Sequence, residues 1–141
     1  MSVPILDAGL ESRLWQAALA AQQRAYAPYS KFLVGAAVLD TAGEIHAGCN
    51  VENAAYPQGV CAEAGALSAM VLAGAQTLRA VLVLGDGAGL VTPCGGCRQK
   101  LREFGGPDTL ILIADRKQIR ARFTLAQLLP ESFGPDHLTT T

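Results

Sequence analysis

Three thiols and one carboxylate stand in two short segments of this chain, Cys61-Ala62-Glu63 and Pro93-Cys94-Gly95-Gly96-Cys97. Three thiolates around one zinc ion leave the fourth tetrahedral position open for water. Zinc lowers the pKa of such a water toward neutrality. Glu63, two residues from a ligand, is then placed to move protons between that water and a substrate. The pattern reads as one catalytic Zn²⁺ per chain, held by Cys61, Cys94 and Cys97. A C-x-x-C pair alone would equally suit a structural zinc site or buried, metal-free thiols. The segment carrying Cys61 and Glu63 turns the reading toward catalysis. Glu63 could otherwise be a plain helix N-terminal acid, but that role would not need Glu at this position rather than beside it.

A fourth thiolate would close the site and leave no chemistry. Cys49, between Gly48 and Asn50, reads instead as a small buried hydrophobe at a strand end. His46 lies in a hairpin strand and reads as solvent-facing. His137 is a candidate ligand by residue type alone.

The elements that must position these groups are legible in outline. Leu10, Leu14, Ala17, Ala18 and Ala21 recur at helical spacing, so residues 10–25 read as an amphipathic helix. Phe32 to Asp40 reads as a strand, Thr41-Ala42-Gly43 as a turn, and Glu44 to Val51 as the returning strand of a hairpin. A loop from Ala54 to Gly59 precedes a buried helix, Cys61 to Ala73, with Gly74 at its C-cap. A short strand, Ala80 to Leu84, leads through a glycine-rich loop into a helix from Cys94 to Phe104. Strands follow at Thr109 to Ala114 and Arg120 to Thr124, and a short helix at Leu125 to Leu129. Strand, helix, strand at this spacing implies a parallel crossover between the Ala80 and Thr109 strands. Both ligand segments open helices, so two dipoles would favour the thiolate forms.

Composition narrows the function. The 141 residues read as one domain, 1–141. Half are hydrophobic, and the mean hydropathy of +0.27 suggests apolar surface covered by other copies of the chain. With 11 basic and 12 acidic residues and no basic run, the footprint of a nucleic-acid binder is missing. Aromatic residues, at 6%, are too sparse for polynucleotide stacking. No apolar run approaches a membrane span. The four cysteines in C-x-x-C context read as thiols in a reducing, cytoplasmic protein.

Four segments, in order, are similar to motifs of the small homotetrameric cytidine deaminases. Tyr29-Ser30-Lys31-Phe32 with Val34-Gly35-Ala36-Ala37 resembles the family's first-strand motif. Gly48 to Tyr56 resembles its nucleoside-binding segment, Pro93-Cys94-Gly95 with Cys97-Arg98-Gln99 its second zinc motif, and Leu128-Leu129-Pro130 with Phe133-Gly134-Pro135 its C-terminal signature. The zinc constellation resembles that of zinc nucleobase deaminases. The resemblance implies a three-layer α/β fold with a mixed five-stranded sheet. It implies hydrolytic deamination of cytidine and 2′-deoxycytidine in pyrimidine salvage, by a homotetramer. It makes Glu63 the proton relay and Ala62 the backbone donor to the base. Asn50 and Glu52 become the grip on a sugar hydroxyl, with Asn53 in the same segment. Phe32 becomes the ring against the pyrimidine, and Tyr56 and Phe133 groups lent between subunits. In an extended segment Asn50 and Glu52 point the same way, which suits such a grip.

One position departs from the pattern. Many members carry Arg after the Cys-Ala-Glu motif, offsetting thiolate charge; here the residue is Ala64, and Arg98 is a candidate substitute. Two other readings compete. A deaminase of an aminonucleoside such as blasticidin S shares the zinc motifs, but the intact Asn50-Val51-Glu52-Asn53 segment favours a plain ribose. A non-catalytic zinc module would not need Glu63.

Overall fold

A computed structural model describes residue 3 and residues 5–138. The ends of the 1–141 domain expectation, residues 1, 2, 4 and 139–141, lie outside the described residues. The described chain forms helix α1 (Ala8–Gln22), strands β1 (Val34–Asp40) and β2 (Ile45–Cys49), helix α2 (Ala62–Leu72), strand β3 (Leu78–Gly85), helix α3 (Gly95–Phe104), strands β4 (Leu110–Ala114) and β5 (Ile119–Thr124), and helix α4 (Leu125–Leu128). The sheet order is β2-β1-β3-β4-β5. Among the described strands only β3 and β4 are parallel neighbours, as the crossover spacing predicts.

Alternation along the strands builds two cores. Ala36 and Val38 face one way, with Val81, Val83, Ile111 and Ile113, and pack under α2 and α3 through Ala66, Met70 and Leu101. Ala37 and Leu39 face the other way, with Leu82, Leu84 and Leu112, against Leu14 and Ala18 of α1. The fold is therefore a three-layer α/β arrangement around a mixed five-stranded sheet.

Topology brings the thiol segments together. β2 and β3 each run antiparallel to β1, so they point the same way. The helices that follow them, α2 and α3, share one face of the sheet. Their N-termini consequently lie at the same edge. Val51 and Val60 pair through two backbone hydrogen bonds of 2.9 and 2.8 Å, which closes the intervening loop and returns the chain beside the end of β2. Close contact of α2 with β2 needs Gly48. A Cβ there would lie 2.3 Å from the Ala66 nitrogen and 2.6 Å from the Ala62 oxygen.

Several boundaries differ from the sequence expectation. α1 starts earlier because the Asp7 side chain accepts the Leu10 N–H at 2.8 Å. It ends earlier because Tyr26 is drawn into a bridge with Val51. Phe32 precedes β1 rather than opening it. Lys31 is left-handed (φ 62°), and the Asn50 amide ties down the Phe32 carbonyl and the Val34 N–H. β3 begins two residues early, at Leu78. Gly74, at φ 98°, ends α2, with the Ala75 N–H bonding back to the Met70 carbonyl. His46 is not solvent-facing: it meets the buried Asp40 at 2.8 Å.

Gly48→Ala should push α2 off the sheet and cost about 3 kcal/mol, the upper end for overpacking. Gly89→Ala, where a Cβ meets nothing within 4 Å, should stay within about 0.5 kcal/mol of wild type. Denaturant melts of the two variants check this; equal stabilities would show that the α2–β2 approach is not tight.

Candidate active site

Cys61 and Cys94 are the N-cap residues of α2 and α3, and Cys97 lies in the first turn of α3. Their sulfurs all fall within 4.8 Å of one another, with Cys61 and Cys94 at 3.9 Å. Zinc–sulfur bonds of about 2.3 Å in a tetrahedron would place the sulfurs about 3.8 Å apart. The donor set and its spacing therefore fit zinc. Cys49 is half-buried and outside the group. Neither histidine belongs to it.

The cluster is electrostatically unfavourable without a cation. Burial raises the Cys61 thiol, and the nearby Cys94 and Glu63 add to the rise. Burial raises Cys97 strongly, with repulsion from Glu63 and Cys61 behind it. Cys94 moves the other way, because the Cys97 backbone N–H faces its sulfur. Glu63 is only 4% exposed, yet no buried side-chain polar atom among the described residues lacks a partner. Burial pushes its carboxyl above the ordinary Glu range, against the pull of its own backbone N–H, the Cys97 thiol and the Lys100 ammonium. A carboxyl raised toward neutrality suits proton exchange at both ends of a reaction. Ala62, fully buried, opens α2 with a backbone N–H that has no place in the helix ladder.

A cavity of about 330 Å³ is lined by Tyr29, Ser30, Glu52, Asn53, Tyr56 and Gly59. It gathers three of the residues expected to hold substrate. Glu52 accepts the Tyr29 and Ser30 N–H groups at 3.0 and 3.1 Å, and the Ser30 hydroxyl. Asn50 braces the same turn through Phe32 and Val34, which leaves one amide N–H free of that clamp. Asn53 accepts the Ala55 N–H at 2.9 Å. Phe32 is 43% exposed and Tyr56 is 75% exposed, its ring 5.9 Å from that of Tyr29. Phe133 is exposed and does not line this cavity. It stacks on His137 at 4.9 Å, and its carbonyl accepts from Gln99 of α3.

Two contributions were hidden in the sequence. Tyr29 and Ser30 anchor Glu52, a role their place in a motif did not specify. Arg98 acts as a clamp: it donates to the Pro93 carbonyl at 2.7 Å, the Leu128 carbonyl at 2.8 Å and the Thr92 hydroxyl at 3.2 Å. It thereby fixes the turn that presents Cys94. An Arg directly after Cys97 was the available signal.

A family model described as the cytidine and deoxycytidylate deaminase zinc-binding region matches residues 10–113. A cytidine deaminase of Sporosarcina psychrophila is 41% identical over 119 residues, covering 84% of this chain and 88% of that protein. One from Mycobacterium tuberculosis is 42% identical over 114 residues, covering 81% and 82%. The crystal structure of a cytidine deaminase from Burkholderia pseudomallei superposes with a TM-score of 0.80 at 40% identity, covering 86% of this chain and 98% of that one.

The Ser30 hydroxyl, then the Ser30 and Tyr29 N–H groups, hold Glu52 below the ordinary carboxylate range. A depressed carboxylate stabilises the fold above its unfolded pKa and loses that contribution as pH falls through its folded value. Hydrogen-exchange protection of the Tyr29 and Ser30 amides should hold from neutral pH down to the ordinary Glu range and decline below it. In Glu52→Ala it should be absent throughout. Protection that persists in acid would show that another group holds this turn.

Proposed function

The chain belongs to the cytidine and deoxycytidylate deaminase family, a zinc-binding one, and from that premise we propose that it hydrolyses cytidine and 2′-deoxycytidine to uridine and 2′-deoxyuridine with release of ammonia. The observation that carries the reading is the buried Glu63 beside three converging sulfurs at two helix N-termini. One zinc per chain would be held by Cys61, Cys94 and Cys97. When bound, the ion supplies the Lewis acidity that makes a water nucleophilic near neutral pH.

The chain's own groups do the rest. Glu63 would take one proton from the attacking water and deliver it to the ring nitrogen N3 as the water oxygen bonds C4. The remaining hydroxyl proton would pass through the same carboxyl to the exocyclic amine, so that the C4–N bond breaks, ammonia leaves and C4 keeps a carbonyl oxygen. One carboxyl serves both transfers, so it ends in the state in which it began. The Ala62 N–H donates to the base carbonyl oxygen. Phe32 packs on the pyrimidine. Glu52, fixed by Ser30, and the free N–H of Asn50 receive a sugar hydroxyl, with Asn53 beside them.

The wider context follows from the same chemistry. A site of three thiolates needs a reducing compartment, so we place the protein in the cytoplasm. Returning amine-bearing pyrimidine nucleosides to uridine compounds is a salvage role. Tyr56, Phe133 and Leu72 are exposed by 75%, 57% and 89%, which suits a homotetramer in which Tyr56 and Phe133 complete a neighbour's pocket.

The test is the ultraviolet change on mixing the zinc-loaded protein with cytidine, deoxycytidine or free cytosine. Both nucleosides should be turned over. Free cytosine leaves the sugar-binding groups unpaired, at about 1–3 kcal/mol, so it should be slower by roughly 10–100-fold. Equal turnover of free cytosine would contradict the sugar-binding assignment, and no change with cytidine would contradict the activity.

A further inference from the structure

Zinc bound by three thiolates is formally an anion before Glu63 is counted, and each helix N-terminus offsets only about half a charge. Arg98 is turned to the carbonyls behind the Cys94 turn. Lys100 has a different placement. It lies three residues beyond Cys97 on the exposed side of α3. Long helical side chains lean toward the N-terminus, and the Lys100 Nζ sits 3.7 Å from where a Gly96 Cβ would be. The ammonium thus lies along the first turn of α3, the turn that runs from Cys94 to Cys97.

For α3 alone this is a poor position, since a cation stands at the positive end of the dipole. No ion pair among the described residues includes Lys100. Glu103, one turn further along α3, lines the same groove but forms no ion pair with Lys100; the ammonium lies instead against Gly96, between Cys94 and Cys97. Ala64, the residue after Glu63, lines the same groove as Lys100 and brings no charge of its own.

We propose that Lys100 is a positioning residue for the metal, its ammonium offsetting the charge of the thiolate cluster across the bare surface of Gly96. It acts through the ligands and touches neither substrate nor ion. The inference rests on the zinc reading above.

Zinc affinity decides it, measured by competition with a chromophoric chelator for the wild-type chain, Lys100→Gln and Lys100→Arg. Loss of an outer partner of a metal site typically costs 10–100-fold in affinity. Lys100→Gln should bind zinc more weakly by about that factor at low salt, with the gap narrowing as salt screens the charge. Lys100→Arg should stay near wild type. Wild-type affinity in Lys100→Gln overturns the inference alone, as does Lys100→Arg binding as weakly as Lys100→Gln. A wild-type chain that takes up no zinc overturns the zinc reading and this inference together.

Discussion

Mutual repulsion among Cys61, Cys94, Cys97 and Glu63 is the constraint on which the rest of the structure turns. Three thiols lie within 4.8 Å of one another, Glu63 follows one of them by two residues, and Cys97 and Glu63 are buried. Burial drives Cys61, Cys97 and Glu63 toward their neutral forms, and neighbouring charge adds to it at the two thiols. A divalent ion reverses the balance for the thiols, because it rewards deprotonation of each ligand. The same burial that opposes thiolates serves the carboxyl. A Glu in water would be ionised at neutral pH, with no proton to donate and little basicity; Glu63 is moved toward the range where it both accepts and donates.

Bringing such groups together falls to the sheet. β2 and β3 run the same way on either side of β1, so α2 and α3 begin at the same edge and on the same face. Small residues make the approach possible: Gly48 lets the α2 backbone rest on β2, and Ala62 and Ala66 fill the seam without spreading it. Arg98 then pins the Cys94 turn to the end of α4 through the Leu128 carbonyl. The C-terminal segment is fastened to the same helix, with Arg102 donating to Ser132 and pairing with Asp136 at 2.6 Å. α3 therefore links Cys94 and Cys97 to the segment that carries Phe133.

The groups proposed for metal binding and proton transfer stand out in sequence because such chemistry dictates residue type and spacing. Cys61, Glu63, Cys94 and Cys97 could be chosen from two short segments, and the alternation of β1 and the apolar runs of β3 and β4 gave the sheet. Contacts between distant segments were less legible. Nothing local distinguishes Asn50 as the clamp on Phe32 and Val34, or Glu52 as the acceptor of Tyr29 and Ser30, since each partner is about twenty residues away. His46 misled for a different reason: a polar residue on a half-exposed strand reads as outward, although the buried Asp40, six residues earlier in the same hairpin, is its partner. The start of β1 was misplaced because Phe32 has strand propensity, while the left-handed Lys31 before it does not announce itself in sequence.

The central claim is that Glu63 moves protons at a metal held by others. Glu63→Gln keeps the size and polarity of the side chain and removes its capacity to accept a proton. Zinc content and single-turnover rate with cytidine, measured on the same preparation, separate the two roles. The account predicts about one zinc per chain retained and a rate reduced by at least 10²–10⁴-fold, roughly the worth of general acid–base help. Turnover near the wild-type rate with zinc still bound would contradict it.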